Sequence, residues 1–335
     1  MLAMKKWIFT ILFSFLLSQN EVCFEIESNP YPNSPALGCF TKYINVLDCF
    51  EIYAEPSIQD NKVLHAAAIA AELLDNNEDG VVDDLALFER LQQQNALMPI
   101  FLYEGSSCMD DFEDYYNGNG VSAVLFRNEI DPSQPGHWGA DASVEEIVHT
   151  INHVGHVYLY PNYFDITPNS SIMSNAMDIA RGGQFLTVPN SYPEESWYHY
   201  DDWTCDYECM AIEYLYWCIV SHMGILDDAQ TCAGIDNEWE LCTPELFENI
   251  DTTMFDLITD PQHKIPQNAP DGNYCPFTGI LGDVNVDGSI DILDIIFTVN
   301  IVLGQEEFSY AADINSDNII NIFDIVSLVN IVLSP

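Results

Sequence analysis

Apolar positions recur along this chain at spacings that predict a mostly helical protein. Alanine and leucine dominate a stretch from about Val63 to Leu74, and a second helical pattern begins near Asp84. The residues that follow Cys209 are apolar on nearly every side, which is typical of a buried helix. The expected fold class is therefore mainly α: a disulfide-containing, mostly helical large module with a few irregular strands, followed by a small all-α tail.

The tail contains two copies of an acidic loop, each followed by an apolar helix. The loops read DVNVDGSIDILD from Asp283 and, thirty residues later, DINSDNIINIFD from Asp313. Oxygen donors fall at the spacing with which a calcium loop supplies about six to eight hard ligands. The predicted ligands of the first site are Asp283, Asn285, Asp287, the Ser289 carbonyl, Asp291 and Asp294. Those of the second site are Asp313, Asn315, Asp317, the Ile319 carbonyl, Asn321 and Asp324.

The helices after these loops are expected from Ile292 to Leu303 and from Ile322 to Leu333, and their endings repeat as VNIVLG and VNIVLS. Such a repeat indicates an internal duplication. A module this small, without a cysteine, can hardly bury enough apolar surface to fold alone, and its loop carboxylates repel one another when no cation is present. We therefore expect calcium binding to supply much of its folding free energy.

The duplicated loop and helix over residues 279–335 are similar to a type I dockerin domain. The resemblance implies two bound Ca²⁺ ions and binding to a cohesin domain of a scaffold or cell-surface protein. In that family, the residue pair at loop positions 10 and 11 helps to select the cohesin. Here the pairs are Ile292–Leu293 and Ile322–Phe323, which are apolar rather than Ser/Thr. The alternative is a calcium-stabilised tail without a partner.

A third polar loop lies between the first two predicted helices, at residues 75–86. Its donors match calcium-loop positions 1, 3, 5, 7 and 9: Asp75, Asn77, Asp79, the Val81 carbonyl and Asp83. Position 12 is Ala86, which has no ligand atom in its side chain. The pattern predicts a third calcium site, and the alternative is an Asx-rich turn that caps the second helix.

A helix predicted from Ser143 separates apolar from ionisable side chains. Its apolar face holds Val144, Ile147, Val148, Ile151 and Val154. At about 100° per residue, the opposite face gathers Glu145, Glu146, His149 and His153. The two histidines stand four residues apart, which lets both imidazoles reach one metal ion. The pattern predicts a divalent-metal site, with Zn²⁺ as the candidate ion and Glu146 as a ligand or general base.

The histidine pair resembles, weakly, the HxxxH helix of zinc metallopeptidases. In those enzymes a glutamate beside the first histidine is the general base, whereas Thr150 stands there in this chain. The alternative interpretation is a solvated polar helix face without a metal.

Glu213 interrupts the apolar helix that follows Cys209. A buried carboxylate without a partner is costly, so it should meet a cation or a strong hydrogen-bond donor. One interpretation is that Glu213 completes a His-His-Glu metal site with His149 and His153. The other is that a tyrosine hydroxyl or Arg181 is its partner.

The aromatic segment Trp197–Tyr200 offers further candidates for lining a substrate cleft.

The N-terminus predicts export. Lys5 and Lys6 precede an apolar run from Trp7 to Leu17 that is too short to span a bilayer, so residues 1–20 are interpreted as a signal peptide. Residues 21–277 then form the large module. Its ten cysteines favour disulfides in an exported protein, with connectivity left open; a cysteine-rich zinc site is the alternative, although no CxxC pair occurs.

The charge excludes two partner classes. With 53 acidic and 8 basic residues, the formal net charge is -45, which repels nucleic acid and anionic membrane surfaces. No later stretch reaches about 18 apolar residues, so we expect no membrane insertion after signal removal.

Three functions remain for the large module of this secreted, dockerin-tethered protein. The first is a metal-dependent hydrolase, peptidase-like, that uses Glu146, His149, His153 and Glu213. The second is polysaccharide degradation by an O-glycosyl hydrolase, which rests on the association of dockerins with carbohydrate-active modules. The third is a non-catalytic binding or scaffold role.

Overall fold

The computed structural model describes residues 23–276, 280–306, 309–315 and 319–333. The predicted signal peptide, the predicted ligand Asp317 and the module boundary near residue 278 lie outside the described residues. In the described ranges, no helix combines the length and apolar character needed to cross a membrane.

A five-stranded sheet forms the N-terminal part of the large module. Its strands are β1 (Glu27–Ser28), β2 (Lys42–Val46), β3 (Phe50–Ala54), β4 (Ala96–Phe101) and β5 (Leu125–Phe126), in that spatial order. The pairs β1–β2 and β2–β3 are antiparallel, whereas β3–β4 and β4–β5 are parallel. The mainly-α expectation thus holds only in part, because the few strands form a regular mixed sheet. Both faces of this sheet are covered, so its strands lack the apolar and polar alternation that reveals a half-exposed strand.

The two sheet faces pack against different helices, because side chains alternate along a strand. Ile44, Ile52 and Met98 point into the main core with the helices described below. Tyr53 and Phe101 point the other way, into a smaller aromatic cluster. The sheet therefore forms the middle layer of the N-terminal part.

Helices provide most of the remaining regular structure in the described ranges. They are α1 (Asp60–Leu74), α2 (Leu85–Gln94), α3 (Ser107–Tyr115), α4 (Ser143–Ile151), α5 (Val157–Leu159), α6 (Pro161–Phe164), α7 (Ile172–Ala180), α8 (Tyr207–His222), α9 (Ala229–Ile235), α10 (Pro244–Ile250), α11 (Thr252–Thr259), α12 (Ile292–Val302) and α13 (Ile322–Leu333). A π-helical turn, Asn152–His156, joins α4 to α5, and short 3₁₀ turns span Arg127–Glu129 and Tyr310–Ala312.

Helix α8 is the centre of the large module. It packs against α4, α7, α10 and α11, and most of its residues are buried, as its uniformly apolar sequence predicts. Asp206 caps its first turn by accepting a hydrogen bond from the Cys209 amide. Because α4 and α8 are in contact, the ionisable residues of α4 come to lie beside Glu213.

Four disulfides cross-link the large module, and they give the pairing of cysteines that the sequence left open. The bonded pairs are Cys23–Cys275, Cys39–Cys108, Cys205–Cys209 and Cys232–Cys242. Cys49 and Cys218 remain free thiols in the core. The first bond joins the start of the described module to its end.

The tail has a very small core of its own. Helices α12 and α13 pack together around the buried residues Val284, Ala311, Ala312 and Leu328. Most large apolar side chains of both helices are exposed instead. So little apolar burial is consistent with a module that needs bound cations to fold.

Candidate functional site

A cavity of about 330 Å³ opens between α4 and α8. Its lining residues are Ser122, Ala123, Glu146, His149, His153, Ile166, Glu208, Cys209, Ile212 and Glu213. All four predicted catalytic residues are therefore in one cavity. The alternative of a solvated helix face does not describe His149, whose side chain is only 7% exposed.

His149 is the centre of a three-residue cluster in this cavity. Its Nε2 lies 3.3 Å from Glu213 Oε2 and 4.0 Å from Glu145 Oε1. One potential ligand atom from each of these three residues lies within 4.8 Å of the others. Neither ring nitrogen of His149 makes a hydrogen bond, since the contact with Glu213 has the distance of an ion pair but not hydrogen-bond geometry. One imidazole and two carboxylates could hold a divalent cation.

Of the two predicted histidine ligands, His149 lies in α4 and His153 lies in the π-helical turn that follows α4. His153 is half-buried and lines the cavity, but it is not part of the three-residue cluster. The spacing rule assumed a regular α-helix, whereas a π turn changes the rotation per residue. Glu145 takes part in the cluster instead. The sequence could have indicated this role of Glu145, because Glu145 was predicted to lie on the same helix face as His149.

Glu213 lies beside His149 and Tyr200. His149 forms the ion-pair contact described above, and the charge of Glu213 adds to burial in raising the pKa of the Tyr200 hydroxyl. Arg181 binds Asp178 instead, at 3.0 Å.

The cavity is strongly acidic. Burial raises the pKa of Glu145 to about 7 and that of Glu146 to about 8, and neighbouring carboxylates add to both shifts. Burial alone would lower the pKa of His149, but the charges of Glu213, Glu146 and Glu145 raise it to about 9. No Lys or Arg is among the lining residues. A bound cation would relieve this repulsion.

We expect the metal-free large module to lose stability as pH rises from about 4.5, the unfolded-state pKa of the two glutamates, to about 9, the folded-state pKa of His149. Glu145, Glu146 and His149 each have a raised folded-state pKa, of about 7, 8 and 9. Each group therefore binds its proton more tightly in the folded state, and this stabilisation is lost as pH rises through the folded-state pKa.

Thermal melts in chelator, followed by tryptophan fluorescence, measure this effect. Every tryptophan precedes residue 240, so the signal reports on the large module alone. Glu146→Gln should reduce the slope of melting temperature against pH. A melting temperature that rises with pH over this range would contradict the assignment.

The 75–83 loop has the same hydrogen-bond scheme as the first tail loop. Asp75 accepts from the amides of Asp79 and Gly80 at 3.1 and 2.7 Å. Asp283 accepts from the equivalent amides, those of Asp287 and Gly288, at 3.0 and 2.8 Å. The two glycines have φ values of 88° and 85°, in the left-handed region that favours glycine. The loops therefore share one backbone conformation.

The 75–83 loop region makes further contacts with helix α2 and with the end of the large module. Asp83 accepts from the Asn76 amide at 2.9 Å, and Asp84 caps α2 by accepting from the Ala86 amide. The buried Asp75 also accepts from the Tyr274 hydroxyl at 2.5 Å. The loop thus does cap α2, and it also holds the chain segment that ends the large module.

In the tail, the last predicted ligand of each loop closes its loop in the same way. Asp294 accepts from the amides of Asn285 and Asp291 at 3.1 and 2.8 Å. Asp324 accepts from the amides of Ile314 and Asn321 at 3.0 and 2.8 Å. Four loop carboxylates are buried: Asp283, Asp294, Asp313 and Asp324. The sequence has no Lys or Arg after Lys264, so these carboxylates fit calcium as their counter-charge.

Paired loops of this kind define a small calcium-binding, helical module. Residues 281–333 match the family model described as Dockerin type I domain, and this segment is a type I dockerin domain. Comparison of the chain with curated proteins and with solved structures gives no significant match. Type I dockerin domains bind calcium and cohesin domains, so a tethering role in a modular protein follows. The large module has no family assignment from these comparisons.

Proposed function

We propose that this chain is an extracellular, cohesin-tethered protein whose large module is a metal-dependent hydrolase. The observation that supports the enzymatic part is the buried imidazole of His149. Its ring nitrogens have no hydrogen-bond partner, although the carboxylates of Glu145 and Glu213 lie within 4.0 Å. Buried polar atoms normally have hydrogen-bond partners, so an imidazole that has none and faces a cavity favours a ligand there.

In this proposal, Glu145, His149 and Glu213 hold a divalent cation, with Zn²⁺ as the first candidate. Such a cation supplies Lewis-acid polarisation and activates water near neutral pH. Glu146 faces the same cavity and acts as general base. His153 contacts the substrate from the cavity wall. Peptide bonds are the proposed substrate.

Metal analysis of the purified protein, combined with a substrate screen, tests this proposal. We expect about one transition-metal ion per chain and hydrolysis of casein that a chelator abolishes. Hydrolysis of glycans without hydrolysis of casein would favour polysaccharide degradation instead. A protein that holds no transition metal and is inert toward both would favour a binding role.

For the tether, we propose a cohesin with an apolar docking face. Ile292, Leu293, Ile322 and Phe323 are 65%, 47%, 60% and 68% exposed. Aliphatic and aromatic side chains at this exposure would be desolvated favourably by an apolar partner surface. In a binding screen, cohesins with apolar docking faces should therefore rank above those with polar ones.

We further propose that the 75–83 loop binds a third calcium ion in the large module, through Asp75, Asn77, Asp79, the Val81 carbonyl and Asp83. Its hydrogen-bond scheme, shared with the first dockerin loop, supports this assignment. We expect calcium to raise the melting temperature of the large module, because a ligand at 100 times its Kd stabilises by about 2.7 kcal/mol.

The tryptophan signal again isolates the large module. Asp79→Ala should remove the calcium-dependent shift, since the exposed Asp79 contributes a predicted ligand. Asp256→Ala, at an exposed position on α11, is the matched control and should keep the shift. An equal calcium response in all three proteins would show that the loop is only an Asx-rich cap.

A further inference from the structure

The cavity between α4 and α8 contains a carboxylate that the proposed metal site does not use. Glu208 lines the cavity from the first turn of α8, and its side chain is exposed. It is outside the cluster of Glu145, His149 and Glu213. Within the described ranges, its carboxylate forms neither an ion pair nor a side-chain hydrogen bond. The Cys205–Cys209 disulfide holds this turn of α8 in place.

The charge balance of the cavity stays negative when a metal is bound. A divalent cation neutralises Glu145 and Glu213, which leaves the exposed carboxylate of Glu208 uncompensated. No Lys or Arg is among the lining residues, and the net charge of the chain, -45, repels anions at longer range. Uronic acids, phosphates and acidic peptides are therefore disfavoured as substrates.

The same cavity has an apolar wall. Ala123, Ile166 and Ile212 line it together with the carboxylates. A group that matches both surfaces has an aliphatic stem and a cationic tip, which describes the side chains of lysine and arginine.

We infer that the cavity binds a lysine or arginine side chain of a polypeptide substrate, with Ile166 and Ile212 along its stem and Glu208 at its cationic tip. The inference rests on the proposed function for the site, since it places this side chain next to the bond to be hydrolysed. Besides the acidic residues, it depends on the open cavity and on the buried imidazole of His149, which faces the cavity and whose ring nitrogens have no hydrogen-bond partner.

Three fluorescence-quenched peptides that differ at one residue test the inference in the full-length protein. The varied residue is lysine, norleucine or glutamate. The side chains of lysine and norleucine differ in charge but have aliphatic chains of similar length. We expect kcat/KM for the lysine peptide to exceed that for norleucine about tenfold at low ionic strength, with glutamate lowest. Glu208→Gln should bring the ratio of lysine to norleucine close to one, and Glu208→Lys should invert it.

Glu248→Gln is the matched control, because Glu248 is exposed on α10 and does not line the cavity. It should keep the wild-type ratio. Equal kcat/KM for lysine and norleucine, or a preference that survives Glu208→Gln, would overturn the inference. Metal content and circular dichroism of each variant show that the fold and the metal site are intact.

Binding measurements separate failure of this inference from failure of the proposed hydrolase. If no peptide is cleaved, the peptidase proposal fails, but fluorescence anisotropy still compares the Kd values of labelled lysine and norleucine peptides. A lysine preference that Glu208→Gln removes supports the cationic subsite on its own. Tighter binding of a glucosamine oligomer than of the lysine peptide would overturn the assignment to a polypeptide.

Discussion

Removing calcium from the full-length protein is expected to unfold the dockerin domain and abolish cohesin binding, while the large module stays folded. Asp283, Asp294, Asp313 and Asp324 are buried without any cationic side chain in the tail, so their repulsion is uncompensated when calcium is absent. The apolar core around Leu328 is too small to offset this cost. The large module has its own core and four disulfides.

Far-ultraviolet circular dichroism should show loss of the helical signal of α12 and α13 in chelator, with tryptophan fluorescence nearly unchanged. Cohesin affinity should fall by at least about 100-fold, which is about 2.7 kcal/mol.

Substitutions in the two loops test the same mechanism one site at a time. Asp294→Ala and Asp324→Ala each remove a buried ligand that also closes its loop, so each should raise the calcium concentration needed for folding. Glu306→Ala is the matched control, because Glu306 is exposed and outside both loops. Cohesin binding that survives chelation would contradict calcium-dependent folding of the tail.

The second large effect is expected from His149→Ala, which should abolish metal binding and hydrolysis by the large module. Outer-shell substitutions in metal sites typically cost about 10–100-fold in affinity, so loss of a direct ligand should cost more than about 100-fold. Glu213→Gln should weaken the metal similarly, since it removes the charge that contacts His149 Nε2 at 3.3 Å.

The control for this experiment is His137→Ala, because His137 does not line the cavity. Its metal content and activity should equal those of the wild type. His149→Ala also leaves Glu145 and Glu213 without a positive partner, so its melting temperature is measured alongside. Full metal content and activity in a folded His149→Ala protein would rule out the proposed site.

The candidate metal-binding cluster in the folded protein differs by one residue from the set that the sequence pattern predicted. The sequence pattern placed His149, His153 and Glu213 together, and all three line one cavity. The cluster within ligand distance contains Glu145 in place of His153. Helical spacing predicts neighbours only while the helix remains regular, and the turn at Asn152–His156 is π-helical.

The dockerin loops and the helices that follow them could be predicted from local residue patterns, because calcium ligands in one loop are set by spacing along the chain. The same patterns indicated the buried helix α8 and the oxygen-rich loop at 75–83. The mixed sheet, the disulfide pairs and the contact of His149 with Glu145 and Glu213 became visible in the folded protein alone. These features depend on contacts between segments that are far apart in the chain. The packing of α4 against α8, and of the helices on the sheet, establishes those contacts, and no local pattern of residues specifies them.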